Sequence, residues 1–229
     1  YCCGHGCLMC PYIPKHIKGN KVMSKNILIV CALEIETQGQ LDQLGPHDIL
    51  YTGVGKVNAT YELTKRLAVE GSINYDARKQ LVINYGTAGS RKIKKKTLVD
   101  CTKFIQRDMD ATPMGFKIGE TPFDKEPSMI DFSHIKNPIG KNLTCYTGDS
   151  FVTDIQYMDV VDMEAYALAK TCRNFGIDFV SYKYISDDGN ADDWEKNCGK
   201  GIEEFKKLLN EILWYIQDSN RTNQERCGE

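Results

Sequence analysis

Short apolar runs, several of them closed by glycine, alternate along this chain with longer stretches in which apolar positions recur every three or four residues. The runs ILIVCAL at 27–33, QLVIN at 80–84 and FVSYKYI at 179–185 have the length and the β-branched and aromatic content of buried strands. Further strands are predicted before Gly53, over TLVDCTKFIQRDMD at 97–110 and within NLTCYTGDSFV at 142–152. LEIETQGQLDQLG carries a short helical pattern. A longer helix starts near Lys56 and runs to about Glu70. In a second, Val161, Ala165, Leu168, Ala169, Cys172 and Phe175 share a stripe, and Asn174 and Gly176 end it. A third spans 201–218, where Phe205, Leu208, Leu209, Ile212 and Ile216 line up and Leu213 widens the face. Strands alternating with helices predict an α/β fold, a central sheet with helices on its faces.

In such a sheet ligands gather at the carboxyl ends of the strands. Three strand ends carry glycine there: Gly53-Val54-Gly55, Gly86-Thr87-Ala88-Gly89 and Gly148. GVGK is neither a Walker loop nor a dinucleotide fingerprint. Acids arrive at the same edge. Glu34 and Glu36 follow the first strand, Glu164 opens the second long helix, and Asp187 sits just past the strand at 179–185. Two carboxylates from different elements suit an acid and binder pair. The plainer alternatives are that Glu164 complements a helix dipole and that Asp187 and Asp188 cap the turn into GNADDW. RKIKKK at 91–96 reads as a solvated turn. The segment after Asp110, rich in Pro and Gly, reads as an irregular binding or dimer-contact loop.

With 229 residues and 41% hydrophobic content, the chain can bury one large core. A net charge of −2 exerts no general pull on nucleic acid. No apolar run reaches membrane-spanning length, and the first residues lack a signal-peptide core, so a cytoplasmic protein is expected. Cys31 and Cys172 fall in strand and helix patterns, as reduced cysteines do. Residues 1–22 stand apart as a Cys-rich leader. They hold no acid, and without them the net charge falls from −2 to −5. A domain over 23–218 follows, then a polar tail over 219–229. In the leader, Cys2, Cys3, Cys7 and Cys10 resemble a short cysteine-cluster segment of the pattern CCxxGCxxCPY. Two readings stay open for it, a structural zinc or iron–sulfur site and an oxidisable tail, since a second CxxC is missing.

Five pieces occur in order: ALEIE at 32–36, GVGKVNA at 53–59, NYGTAG at 84–89, TGDSFV at 147–152, and VDMEA at 161–165 with ISD at 185–187. Together they resemble the nucleoside phosphorylase and nucleosidase superfamily, and within it the 5'-methylthioadenosine/S-adenosylhomocysteine nucleosidases, over roughly residues 26–218. The resemblance implies a three-layer αβα fold around a central mixed, twisted and partly barrel-like sheet. It implies cleavage of the N-glycosidic bond of a small-molecule nucleoside through an oxocarbenium-like transition state, without a cofactor, in a homodimer. Asp187 then protonates the departing purine, oriented by Ser186. Glu36 activates water. Glu164 accepts hydrogen bonds from the ribose diol, with Met163 beside the sugar. Phe151 stacks on the base, and the main chain at Phe151 and Val152 reads its edge. Gly86, Thr87 and Lys183 surround the water, and Phe116, with Met109, Pro113 and Met114, lines a pocket for an apolar 5'-group. Phosphorylases of the superfamily hold phosphate with arginines near the first glycine loop. Here Lys56 follows that loop, and Lys183 and Thr87 stand where many relatives have Arg and Ser, so a purine nucleoside phosphorylase is the alternative. The segment between Glu36 and Gly53 is also shorter than in typical relatives.

Overall fold

A computed structural model describes residues 27–41, 48–73 and 81–212. The leader with Cys2, Cys3, Cys7 and Cys10, the tail, Leu213 and Ile216 lie outside the described residues. Eight strands are described: β1 (Ile27–Cys31), β2 (Asp48–Tyr51), β3 (Leu81–Gly89), β4 (Leu98–Gln106), β5 (Met129–Asp131), β6 (Leu143–Thr147), β7 (Val160–Asp162) and β8 (Asp178–Asp187). The helices are α1 (Glu34–Thr37), α2 (Lys56–Ile73), α3 (Ala165–Phe175), α4 (Ala191–Asn197) and α5, described over 202–212.

The sheet is mixed, and part of it closes on itself. β1 lies parallel between β2 and β3. β3 then pairs with β8 in parallel and with β7 antiparallel. β8 pairs with β4, β4 with β6, and β6 with β7, which returns to β3. The ring β3-β8-β4-β6-β7 is a small barrel, the partly barrel-like sheet expected from the resemblance.

Every residue of β1 is buried because helices cover both faces of the sheet. Leu28 and Val30 meet Ala59, Leu63 and Leu67 of α2 and the apolar stripe of α3. Ile27, Ile29 and Cys31 point the other way, toward Phe205, Leu208, Leu209 and Ile212 of α5. Each such side chain contributes about 1.5–3 kcal/mol by leaving water. Phe205 stacks on Tyr85 with centroids 4.3 Å apart, which fixes α5 against β3. α3 ends at Gly176, whose φ of 66° the missing side chain permits.

Three local expectations are corrected. Gly86-Thr87-Ala88-Gly89 is the end of β3 itself rather than a loop after it. β8 likewise runs through Asp187. Residues Val160–Asp162 form a strand, and α3 starts only at Ala165, because Val161 pairs with Gly89 to close the barrel. Asp187 does cap the turn into GNADDW, its Oδ1 accepting the Gly189 N–H, and α4 starts just beyond, where the Asn190 side chain accepts from the Asp192 N–H. The long irregular segment also contributes β5, paired with β4.

The α5 face predicts one stability effect. A Cβ at Gly201 would come within 2.4 Å of Tyr184 Cγ, a ring atom that cannot swing aside. Gly201→Ala should therefore lower stability by about 1–3 kcal/mol, read as a lower thermal midpoint. An unchanged midpoint would show that α5 is not seated on Tyr184.

Candidate active site

The carboxyl half of β3 gathers the chemistry. Glu36 is the third residue of α1, and its carboxylate turns back onto the helix start, where Oε2 accepts the Leu33 N–H at 3.2 Å. Oε1 accepts from both the N–H and the hydroxyl of Thr87, each at 2.7 Å. Three of roughly four acceptor positions are thus filled, and one on Oε2 remains. Gly86 lets the carboxylate come this close: a Cβ there would lie 3.3 Å from Glu36 Oε1 and 3.6 Å from Lys183 Nζ.

Asp187 ends β8 beside Gly89, where a Cβ would meet its Oδ1 at 3.0 Å. Ser186 Oγ donates to Asp187 Oδ2 at 2.8 Å, and the Gly189 N–H donates to Oδ1 at 2.9 Å. The same contact network continues outward, since Asn197 of α4 donates to the Ser186 carbonyl at 2.9 Å.

Glu164 is the N-cap residue of α3, and its side chain makes no cap hydrogen bond. Its Oε1 accepts the Gly55 N–H at 2.9 Å, joining the first glycine loop to the third acid. Burial pushes the Glu164 carboxyl up to about 8. The neighbouring Asp162 adds to the rise, while Lys183 and the Gly55 N–H oppose it.

Asp162 was not singled out in the sequence. It is buried and sits 2.8 Å from Lys183 Nζ. It also accepts from Thr147 Oγ1 at 2.6 Å and from the Ala165 N–H at 2.9 Å. Burial alone would raise it, but Lys183 and these donors outweigh burial and hold it below the usual carboxylate range. Burial would likewise strip Lys183 of its proton, and Asp162 keeps the ammonium charged. Lys183 was expected near a water. Its Nζ does lie beside Gly86, yet its main partner is this buried acid. Once VVD is read as a strand, Asp162 becomes visible as an inward position; the helical reading hid it.

The remaining predicted residues divide. Phe151 is 49% exposed and lines a cleft of about 510 Å³ with Arg91, Thr153, Asp188, Gly189 and Asn190, and none of the three acids lines it. Met163 and Val152 are half-buried. Phe116 packs edge-on against Phe123 at 5.5 Å, within its own loop rather than against the acids. A larger groove of about 830 Å³ runs between α2 and α3 and is lined by none of the three acids. Lys56, the cation after GVG, is occupied: Nζ is 2.5 Å from Asp108 and 3.5 Å from Asp149. Among the described residues no cluster of three or more His, Cys, Asp or Glu could hold a metal ion, and no helix is long and apolar enough to cross a membrane.

The raised Glu164 carboxyl makes stability depend on pH. The unfolded chain releases this proton near pH 4.3, whereas the folded chain keeps it to about 8. The contribution is whole below the lower value and is lost as pH rises toward the upper one. Glu164→Gln should match the wild-type thermal midpoint near pH 4 and below. At pH 9 it should exceed it by roughly 2–4 °C per kcal/mol recovered. A wild-type midpoint equal to the variant's at pH 9 would contradict the buried neutral acid.

Comparison with known proteins places the fold and the family. Residues 146–213 match the family model described as the phosphorylase superfamily. The 5'-methylthioadenosine/S-adenosylhomocysteine nucleosidase of an Exiguobacterium species is 30% identical over 63% of this chain and 68% of its own length. A nucleosidase of Haemophilus influenzae is 30% identical over 70% of this chain and 74% of its own. Among solved structures, a Helicobacter pylori nucleosidase mutant holding 5'-methylthioadenosine superposes with a TM-score of 0.67 at 20% identity, covering 82% of this chain and 98% of that one. The Colwellia psychrerythraea nucleosidase with adenine gives 0.68 at 21%, over 84% and 96%. A futalosine hydrolase mutant of Helicobacter pylori gives 0.69 at 19%, over 82% and 98%, so these structures speak for the fold. With two relatives at 30% identity, each spanned over more than two thirds of its length, the chain belongs to the 5'-methylthioadenosine/S-adenosylhomocysteine nucleosidase family.

Proposed function

We propose that this enzyme hydrolyses the N-glycosidic bond of 5'-methylthioadenosine and S-adenosylhomocysteine and releases adenine. The observation that carries the reading is the Glu36 carboxylate, anchored by Thr87 and Leu33 with one acceptor position left open. An acceptor held this way suits removal of a proton from water. It does not suit binding of phosphate, which two anions at close range disfavour by several kcal/mol at an intermediate dielectric, about 4 kcal/mol per charge pair at 4 Å. Lys56, the cation nearest the first glycine loop, is already neutralised by Asp108 and Asp149.

The steps follow from charge. As the bond to the base stretches, positive charge builds on the sugar and negative charge on the purine. Asp187 gives its proton to purine N7, so the base leaves neutral. Ser186 and the Gly189 N–H hold the carboxyl in line and stabilise the carboxylate it becomes. Glu164 fits the ribose hydroxyls, and Met163 fits the sugar face. Phe151 lines the cleft at the turn that follows Asp187, and its exposed ring can stack on a purine. The water held by Glu36 adds its oxygen to the anomeric carbon while its proton passes to the carboxylate. The reaction consumes one water and needs no cofactor. A homodimer belongs to the same reading, and exposed Val57, Tyr61 and Val69 along α2 supply an apolar row for it.

Adenine release from 5'-methylthioadenosine, measured with and without inorganic phosphate, tests the reading. Turnover should be the same in both. Asp187→Asn and Glu36→Gln should each lower kcat by about 10²–10⁴. Activity that appears only on adding phosphate would make the enzyme a phosphorylase instead.

A further inference from the structure

Trp194 belongs to α4, outside the motifs that carry the family resemblance, and its indole reaches back into the site. Its Nε1 donates to Thr87 Oγ1 at 3.0 Å, and Thr87 Oγ1 stands 2.7 Å from Glu36 Oε1. We propose that Trp194 is a positioning residue for the water-activating base, acting through the Thr87 hydroxyl. The inference rests on Glu36 being that base.

The argument is one of hydrogen-bond inventory. An indole N–H can only donate, and an ionised carboxylate can only accept. A threonine hydroxyl has one hydrogen and two lone pairs. Placed between the two, Thr87 must accept from Trp194, and its hydrogen must point at Glu36. The rotor is left with one orientation and one unused lone pair. Without the indole, the hydroxyl can turn its hydrogen toward any other acceptor in the site, including the water that Glu36 must deprotonate. Glu36 would then lose the hydroxyl donor that fixes its carboxylate.

The indole is itself held. Asn197, less than one turn further along α4, donates to the Ser186 carbonyl at 2.9 Å. The Asn190 side chain caps the helix start. α4 therefore spans the two reacting acids. Asn197 reaches the strand end that carries Asp187, and Trp194 reaches the hydroxyl that steadies Glu36. Trp194 is half-buried, so the Thr87→Val and Thr87→Ser backgrounds are needed to separate its N–H from its packing.

The test is a double-mutant cycle on adenine release. Trp194→Phe keeps an aromatic six-membered ring and removes the donor, and should lower kcat about tenfold with KM little changed, the loss of one net hydrogen bond. Thr87→Val removes the hydroxyl and keeps the branch. In that background Trp194→Phe should have no further effect, because the group it acts through is gone. In a Thr87→Ser background the tenfold loss should return. Equal losses in the Val and Ser backgrounds would mark Trp194 as a packing residue and overturn the proposal, as would full activity of Trp194→Phe. A second measurement leaves Trp194 intact. In Thr87→Val the Trp194 indole proton, distinguished from that of Trp214 by Trp214→Phe, should exchange with solvent faster in NMR spectra. Unchanged exchange would also overturn it. Glu36→Gln separates this inference from its premise. If that variant is inactive and Trp194→Phe is not impaired, the base stands and the positioning role fails. If Glu36→Gln keeps full turnover, both fall.

Discussion

The fold is built around a buried concentration of acid that one ammonium makes tolerable. Glu36, Asp162, Glu164 and Asp187 are all buried around the carboxyl half of β3, with Lys183 among them. Two charges brought together out of water are stable only with good geometry and satisfied remaining hydrogen bonds. Asp162 meets that condition through Lys183, Thr147 and the Ala165 N–H. Glu164 meets it differently, by remaining protonated, since burial beside Asp162 disfavours a second anion. Glu36 depends on the Thr87 amide and hydroxyl, and Asp187 on Ser186 and Gly189. Each acid is thus kept by a separate means, and these means divide anchoring from reacting groups.

The barrel explains why the anchoring works. β3 pairs with β1 along its first half and with β7 at its end, while β8 follows it throughout. The glycines in its second half leave room on both sides of the strand: Gly86 for Glu36 and Lys183, Gly89 for Asp187. Side chains there would push the acids away from the sheet. The strand ends of an ordinary open sheet would deliver such groups on loops. Here they ride on hydrogen-bonded strand and on helix starts, which fix them more tightly.

Much of this was legible in the amino-acid order. The apolar runs of β1 and β8 and the stripes of α3 and α5 depend only on local periodicity, and those elements formed there, with β8 running on to Asp187 and α3 losing Val161. The sites of Glu36, Glu164 and Asp187 at element ends were readable for the same reason, and the ordered motifs supplied their grouping. Errors came where a long-range pairing overrode a local signal. GTAG reads as a loop because glycine is rare in strands, yet two neighbouring strands hold it extended. VVD fits a helical stripe, yet pairing with β3 and β6 draws it into the barrel.

What the sequence determined by itself is therefore the two-sided core, the fold class and the places of Glu36, Glu164 and Asp187 at element ends, because apolar spacing and motif order are properties of the chain alone. Tertiary structure alone decided which acid is neutralised, which is left protonated and which keeps an open acceptor position. Those states depend on distances between residues far apart in the chain, Gly55 to Glu164, Thr87 to Glu36 and Trp194 to Thr87, that no local pattern encodes.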